Sequence, residues 1–128
     1  MSFLLDTNVF LWWMTADPRL SSHARERIAD RKNTLFLSAA SAWEIVIKWG
    51  LGKLHLPEPP GEYVVSRMSR HRIQGLPVEL RHALHVSKLP DHHGDPFDRI
   101  LIAQSQLENL PILTADPLIA RYPVELIW

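Results

Sequence analysis

The sequence predicts an α/β fold, a three-layer α/β/α sandwich around a mostly parallel central sheet. Short apolar runs of strand length recur along the chain: "FLL" (3–5), "TLFLS" (34–38), "PILTA" (111–115) and "VELIW" (124–128). Segments with helical periodicity and caps separate them. The runs are apolar nearly throughout rather than alternating, as in strands covered by helices on both faces.

Taken in order, Phe3-Leu4-Leu5 is a buried strand that passes through polar Asp6-Thr7-Asn8 into an apolar helix reaching Met14. Residues 21–32 carry a serine cap and good helix formers, and 34–38 form the second strand. A helix from about Ser41 should stop at Gly50 or Gly52. The breaker "PEPPG" (57–61) is too short for an interdomain linker. A polar helix over about 61–72, a short apolar piece and a helix over about 79–88 follow. Pro96 to Asn109 form the last long helix, before strand 111–115, "DPLIA" and strand 124–128. Without repeats or low-complexity tracts, residues 1–128 are expected to form a single domain.

Composition narrows the functional classes. A hydrophobic fraction of 46% and a charged fraction of 22% exclude a disordered or fibrous chain. Fourteen basic and fourteen acidic residues give zero net charge, so no strongly basic footprint argues for nucleic-acid binding. Local basic groups remain: Arg25, Arg27, Arg31 and Lys32 share one segment, and Arg67, Arg70 and His71 fall at i, i+3, i+4, one face of a helix. A solvated face is the simpler reading of such a run. The lack of cysteine excludes disulfides and thiolate metal sites and fits a reducing cytosol. The apolar start has no basic n-region and is interrupted by Asp6 and Asn8, so it reads as folded core rather than a signal peptide. No run approaches the ~20 residues that span a bilayer, and a soluble, cytoplasmic protein is expected.

The acids carry the chemistry, and each has a structural alternative. Asp6 could cap the helix after strand one. Glu44 is the fourth residue of "SAWE", an S-x-x-E capping box. Asp95-Pro96 reads as an N-cap with proline at N1, which puts Asp98 at N3, and Asp116-Pro117 repeats the cap pattern. Topology gives them a second reading. Asp6 and Asp116 lie at carboxyl ends of strands, and Glu44 and Asp98 lie in first turns of helices starting at that edge, where α/β folds bind ligands. Four carboxylates in one cleft resist ionisation unless a cation compensates them. Oxygen donors without thiolate point to Mg²⁺ or Mn²⁺, and to phosphodiester or phosphomonoester hydrolysis by metal-activated water. His92 and His93 are adjacent, with no second pair at zinc-like spacing, and read as loop positions or a phosphate or partner contact. Trp12, Trp13, Trp43 and Trp49 lie in apolar helical runs and read as core or dimer surface.

"FLLDTNVFLWW", "SAASAWEIVIKWGLGKL", "LPDHHGDPFDRILIAQ" and "ILTAD", in that order, closely resemble the PIN domain, and more narrowly VapC-type toxins of bacterial toxin–antitoxin pairs. The resemblance covers essentially the whole chain. It implies that Asp6, Glu44, Asp98 and Asp116 are the catalytic, metal-holding acids, with Asp95, Thr7, Asn8 and Thr114 as auxiliaries. It also implies a Mg²⁺- or Mn²⁺-dependent endoribonuclease acting on structured RNA such as tRNA or rRNA, a homodimer and a VapB-like antitoxin that blocks the cleft. Arg67, Arg70 and His71 then become candidate RNA contacts. Gly94 departs from the pattern, standing where related sequences often carry Lys or Arg before D-P-F-D-R; this bears on a phosphate contact and not on the metal site.

Three other functions fit parts of the pattern. A phosphatase could use Asp6 as nucleophile, although haloacid-dehalogenase-like enzymes usually read D-x-D where this chain has Asp6-Thr7-Asn8. A receiver-like module needs paired acids after strand one and a late lysine, and no lysine follows Lys88. A non-catalytic PIN-fold interaction module would need none of the acids.

Overall fold

A computed structural model describes residues 1–128. Five strands form the sheet: β1 (Ser2–Leu5), β2 (Thr34–Ser38), β3 (Ile73–Leu76), β4 (Ile112–Leu113) and β5 (Leu126–Ile127). Six helices connect or cover them: α1 (Thr7–Thr15), α2 (Ser22–Ala29), α3 (Ala39–Gly50), α4 (Pro60–Arg70), α5 (Leu80–His85) and α6 (Pro96–Glu108). Every neighbouring pair is parallel, in the order β3-β2-β1-β4-β5. The sheet is therefore wholly parallel, and each connection returns the chain from the carboxyl edge to the amino edge.

β1 lies at the centre, and Phe3, Leu4 and Leu5 are completely buried. Because strand side chains alternate, β1 feeds two cores. Phe3 and Leu5 pack with Val9, Phe10, Ile45 and Tyr63 from α1, α3 and α4, whereas Leu4 packs with Leu101, Ile102 and Ile112. Apolar residues are thus needed at every position of this strand, which is why the run does not alternate.

Several boundaries differ from expectation. α3 starts at Ala39, because Ser38 at the end of β2 is its N-cap and accepts from the Ala40 N–H at 3.0 Å. Ser41 is therefore no cap, Glu44 moves from the first turn to the second, and the capping box does not form. The apolar piece at 73–76 is an edge strand, with Gln74 and Gly75 exposed. The helix expected over 79–88 is interrupted, ending as α5 at His85 with a 3-10 turn over Val86–Lys88. β4 and β5 are two residues each, shorter than their apolar runs. Ser21 caps α2 as expected, accepting from the Ala24 N–H at 3.0 Å.

Strand order changes direction at β1: β2 and β3 follow on one side, β4 and β5 lie on the other. Open α/β sheets bind ligands beyond the carboxyl ends at such a switch point. Here that point lies between Asp6, after β1, and Thr114, after β4.

Candidate metal centre

Asp6 occupies the N-cap position of α1, with φ −63° and ψ 148°, but its side chain does not cap the helix. Its Oδ2 instead accepts from Thr114 Oγ1 at 2.6 Å. Thr114 Oγ1 in turn accepts from the Asp116 N–H at 3.0 Å, so one hydroxyl ties the ends of β1 and β4 together. Asp6 is 7% exposed and Thr114 2%. Burial raises the Asp6 pKa; the Thr114 hydrogen bond opposes this, and Asp116 and Glu44 add repulsion. Asp116 Oδ1 accepts from the Leu118 N–H at 2.9 Å, capping the turn after β4.

Glu44 faces inward from α3, 6% exposed, and pairs with Lys48 at 2.7 Å, an i, i+4 contact. Ahead of it, buried Thr7 Oγ1 donates to buried Ser41 Oγ at 2.8 Å, joining the first turns of α1 and α3. Asn8 is exposed.

Asp95 is the helix cap that its Asp-Pro sequence predicts, its Oδ1 accepting from the N–H groups of Phe97 at 2.9 Å and Asp98 at 3.1 Å. The Asp98 side chain, in the first turn of α6, caps nothing. Burial pushes its pKa up to about 7, against a hydrogen bond from His93 and with repulsion from Asp95, Asp6 and Asp116. His93 is therefore not a plain loop residue: its Nε2 lies 3.1 Å from Asp98 Oδ2 and its Nδ1 2.8 Å from the Tyr122 hydroxyl.

The four acids chosen from the sequence thus lie at one edge of the sheet, with Asp6 in electrostatic reach of the other three. Against them and Asp95, the protein sets one lysine ion pair and one imidazole contact. Oxygen donors short of positive charge suit a hard divalent cation.

A tighter cluster lies elsewhere and does not fit a metal. The ligand atoms of Glu79, His82 and Glu108 all lie within 4.8 Å of one another. His82 Nδ1 accepts from the Glu79 N–H at 2.9 Å, so its proton sits on Nε2, 2.9 Å from Glu108 Oε1. Both ring nitrogens are used, and Arg81 already pairs with both glutamates.

Arg67, Arg70 and His71 are not brought to the carboxylates. They end α4 just before β3 begins, which places them at the amino edge of a parallel sheet. Arg67 is held by Glu58 at 2.8 Å and lies 4.3 Å from the Tyr63 ring centre. His71 Nδ1 accepts from Trp13 Nε1 at 3.2 Å. Burial, with Arg70 and Arg67 nearby, lowers the His71 pKa and favours the neutral ring. Arg70 shares a pocket with Arg31 and Arg72.

Sequence reasoning missed Ser38, Ser41, Lys48 and His93. The i, i+4 spacing of Glu44 and Lys48 was visible in the sequence, and Ser38, the last residue of a strand, was an equally good cap. Nothing local announced His93, whose partners are set by how its loop folds over α6.

Several known proteins are similar. Ribonuclease VapC16 of Mycobacterium tuberculosis (strain ATCC 25618 / H37Rv) is 46% identical over 72 residues, covering 53% of this chain and 51% of that protein. The match thus spans about half the length of that relative. The VapBC2 structure from Rickettsia felis, bound to a DNA fragment from its promoter, aligns with a TM-score of 0.73 at 17% identity, covering 100% of this chain and 98% of that one. VapBC-1 from nontypeable Haemophilus influenzae aligns with a TM-score of 0.62 at 17% identity, covering 94% and 91%. At such identities the two structures establish the fold. The PIN domain model matches residues 3–125, and the chain belongs to the PIN domain family.

Proposed function

We propose that this protein is a divalent-metal-dependent endoribonuclease toxin of a VapBC-type pair, cleaving phosphodiester bonds in structured RNA such as tRNA or rRNA. The observation that carries the reading is a carboxylate edge with fewer positive partners than acids, Asp6 and Asp98 both being raised above the usual carboxylate range by burial. The 46% identity to a ribonuclease over half the chain supports it. Asp6, Glu44 and Asp98 would hold the ion, which we take to be Mg²⁺ or Mn²⁺, with Asp116 assisting from the β4 turn. When bound, such an ion supplies charge neutralisation at a phosphoryl oxygen and acidifies water.

The protein's own groups prepare that chemistry. Thr114 orients Asp6 and fixes the Asp116 backbone. Thr7 and Ser41 lock together the helix starts that carry Asp6 and Glu44. Asp95 holds the first turn of α6, and with it Asp98. Lys48 sets its ammonium against the Glu44 carboxylate.

The partners in this reading are the RNA substrate, a VapB-like antitoxin and a second copy of the chain; no helix is long and apolar enough to cross a membrane. Action in the cytoplasm follows from the substrate. RNA held at the carboxylate edge would reach Arg70 only by wrapping round to the amino edge. The phosphatase alternative is disfavoured, because Asp6 is 7% exposed and its Oδ2 is taken by Thr114, a poor state for a nucleophile.

The test is cleavage of total bacterial RNA by partner-free protein with Mg²⁺, with Mn²⁺ and with chelator, beside Asp6→Asn. Discrete fragments that need metal and vanish in the mutant establish the activity. No cleavage by folded, metal-binding protein moves the reading to a non-catalytic PIN module.

A further inference from the structure

Arg99 and His93, both in the HHGDPFDR segment, lie outside the cation-holding set. An unbroken line of hydrogen bonds nevertheless joins them to it. The Arg99 side chain is 12% exposed. Its Nη1 donates to the Pro90 carbonyl at 2.9 Å and to the Tyr122 hydroxyl at 3.0 Å, and its Nη2 donates to the Val86 carbonyl at 3.2 Å. The buried Tyr122 hydroxyl lies 2.8 Å from His93 Nδ1, and His93 Nε2 lies 3.1 Å from Asp98 Oδ2.

With Asp98 ionised, the donors fix the direction of each bond. A guanidinium only donates, so the Tyr122 oxygen accepts from Arg99 and its single proton is free for His93 Nδ1. An ionised Asp98 only accepts, so His93 must present its N–H at Nε2. One neutral imidazole tautomer satisfies both ends. His92, edge-on to Tyr122 with ring centres 4.9 Å apart, stays outside the line.

We infer that His93 is a positioning residue for Asp98: Tyr122 fixes its tautomer and ring, its Nε2–H holds Asp98 Oδ2, and Oδ1 is the oxygen left for a cation. The inference rests on the reading of Asp98 as a metal ligand. Arg99 serves the same end, stapling the loop at Pro90 and Val86 so that the imidazole arrives at Asp98. Outer partners of this kind orient ligands, and their loss typically costs about 10–100-fold in metal affinity.

The experiment measures Mn²⁺ affinity of chelator-treated protein by paramagnetic resonance of free Mn²⁺, for wild type, His93→Ala, His93→Gln, Tyr122→Phe and Asp98→Asn. Imidazole ¹⁵N shifts of His93 are recorded alongside. The expected result is an Nε2–H tautomer in the wild type and about 10–100-fold weaker Mn²⁺ binding in His93→Ala. His93→Gln, which keeps an N–H donor, should recover much of the loss. Tyr122→Phe, which removes one hydroxyl and keeps the ring, leaves Nδ1 without its donor; it should weaken the tautomer preference that Asp98 still imposes, lower Mn²⁺ affinity, and carry the test if His93→Ala does not fold. Wild-type affinity in His93→Ala, with affinity lost in Asp98→Asn, overturns the inference and leaves the metal reading standing. Unchanged affinity in Asp98→Asn overturns both.

Discussion

The two ends of α6 carry acidic clusters that treat their charge in opposite ways. In its first turn Asp98 joins Asp6, Glu44 and Asp116 at the carboxyl edge of the sheet; ten residues on, about 15 Å along the axis, Glu108 joins Glu79 and His82. The Glu108 cluster is the tighter, yet it is closed: Arg81 neutralises both glutamates and both His82 nitrogens are spent. The Asp98 cluster is looser and short of positive charge, with two carboxyl groups held above their usual pKa by burial. Proximity of acids is therefore a poor sign of a metal site. If the proposed metal site is right, unmet demand for positive charge is the better one, because buried carboxylates short of counter-charge are costly unless a cation arrives.

The contrast can be broken most directly by mutating each end of α6. Asp6→Asn and Asp98→Asn should lower RNA cleavage by more than the about 10–100-fold that removing an outer partner costs, with the fold intact by circular dichroism. Glu108→Gln should leave cleavage at the wild-type rate. Equal losses at both ends would mean that the carboxylate edge has no special role.

The reverse asymmetry is expected for stability. His82→Ala removes a fully buried ring together with its hydrogen bonds to the Glu79 N–H and to Glu108, which should cost about 2–3 kcal/mol in denaturant unfolding. Metal-dependent cleavage per folded molecule should persist.

A third, subtler test uses pH. With folded-state pKa values raised, Asp98 to about 7 from 3.8, the folded protein holds protons that the unfolded chain has released. Stability of chelator-treated protein should therefore be highest near the unfolded value and fall as pH rises towards and through 7. Added Mg²⁺ or Mn²⁺ should raise the melting temperature more at pH 8 than at pH 5, where protons occupy the same oxygens. A melting temperature that rises with pH in chelator would contradict this account.

The smallest effect belongs to the amino edge. Arg70→Ala should leave the cleavage step unchanged and lower the salt slope of RNA binding by at most about 1. An unchanged slope retires that patch as an RNA contact.

Much of this was legible along the chain. The covered strands, the all-apolar "FLL" of β1, the Ser21 and Asp95 caps and the collection of four acids at one edge follow from periodicity and the geometry of parallel connections. What the sequence left open was which acids are spent locally. Asp6 and Asp95 both precede a helix, yet only Asp95 caps one, because Thr114, more than a hundred residues away, claims Asp6. Glu44 was misplaced by one turn because two serines competed to start α3, and Ser38, ending β2, took the cap.

By itself, then, the sequence determined the layers, the direction of the strands and the edge at which the acids gather. These follow from side-chain periodicity and from short-range rules for caps and crossovers. Only the tertiary structure decided that Thr114 bridges β1 and β4, that His93 reaches Asp98 through a line beginning at Arg99, and that Arg67, Arg70 and His71 lie at the opposite edge. Those outcomes depend on hydrogen bonds and burial between distant segments, where charge and desolvation are fixed by neighbours that no local pattern specifies.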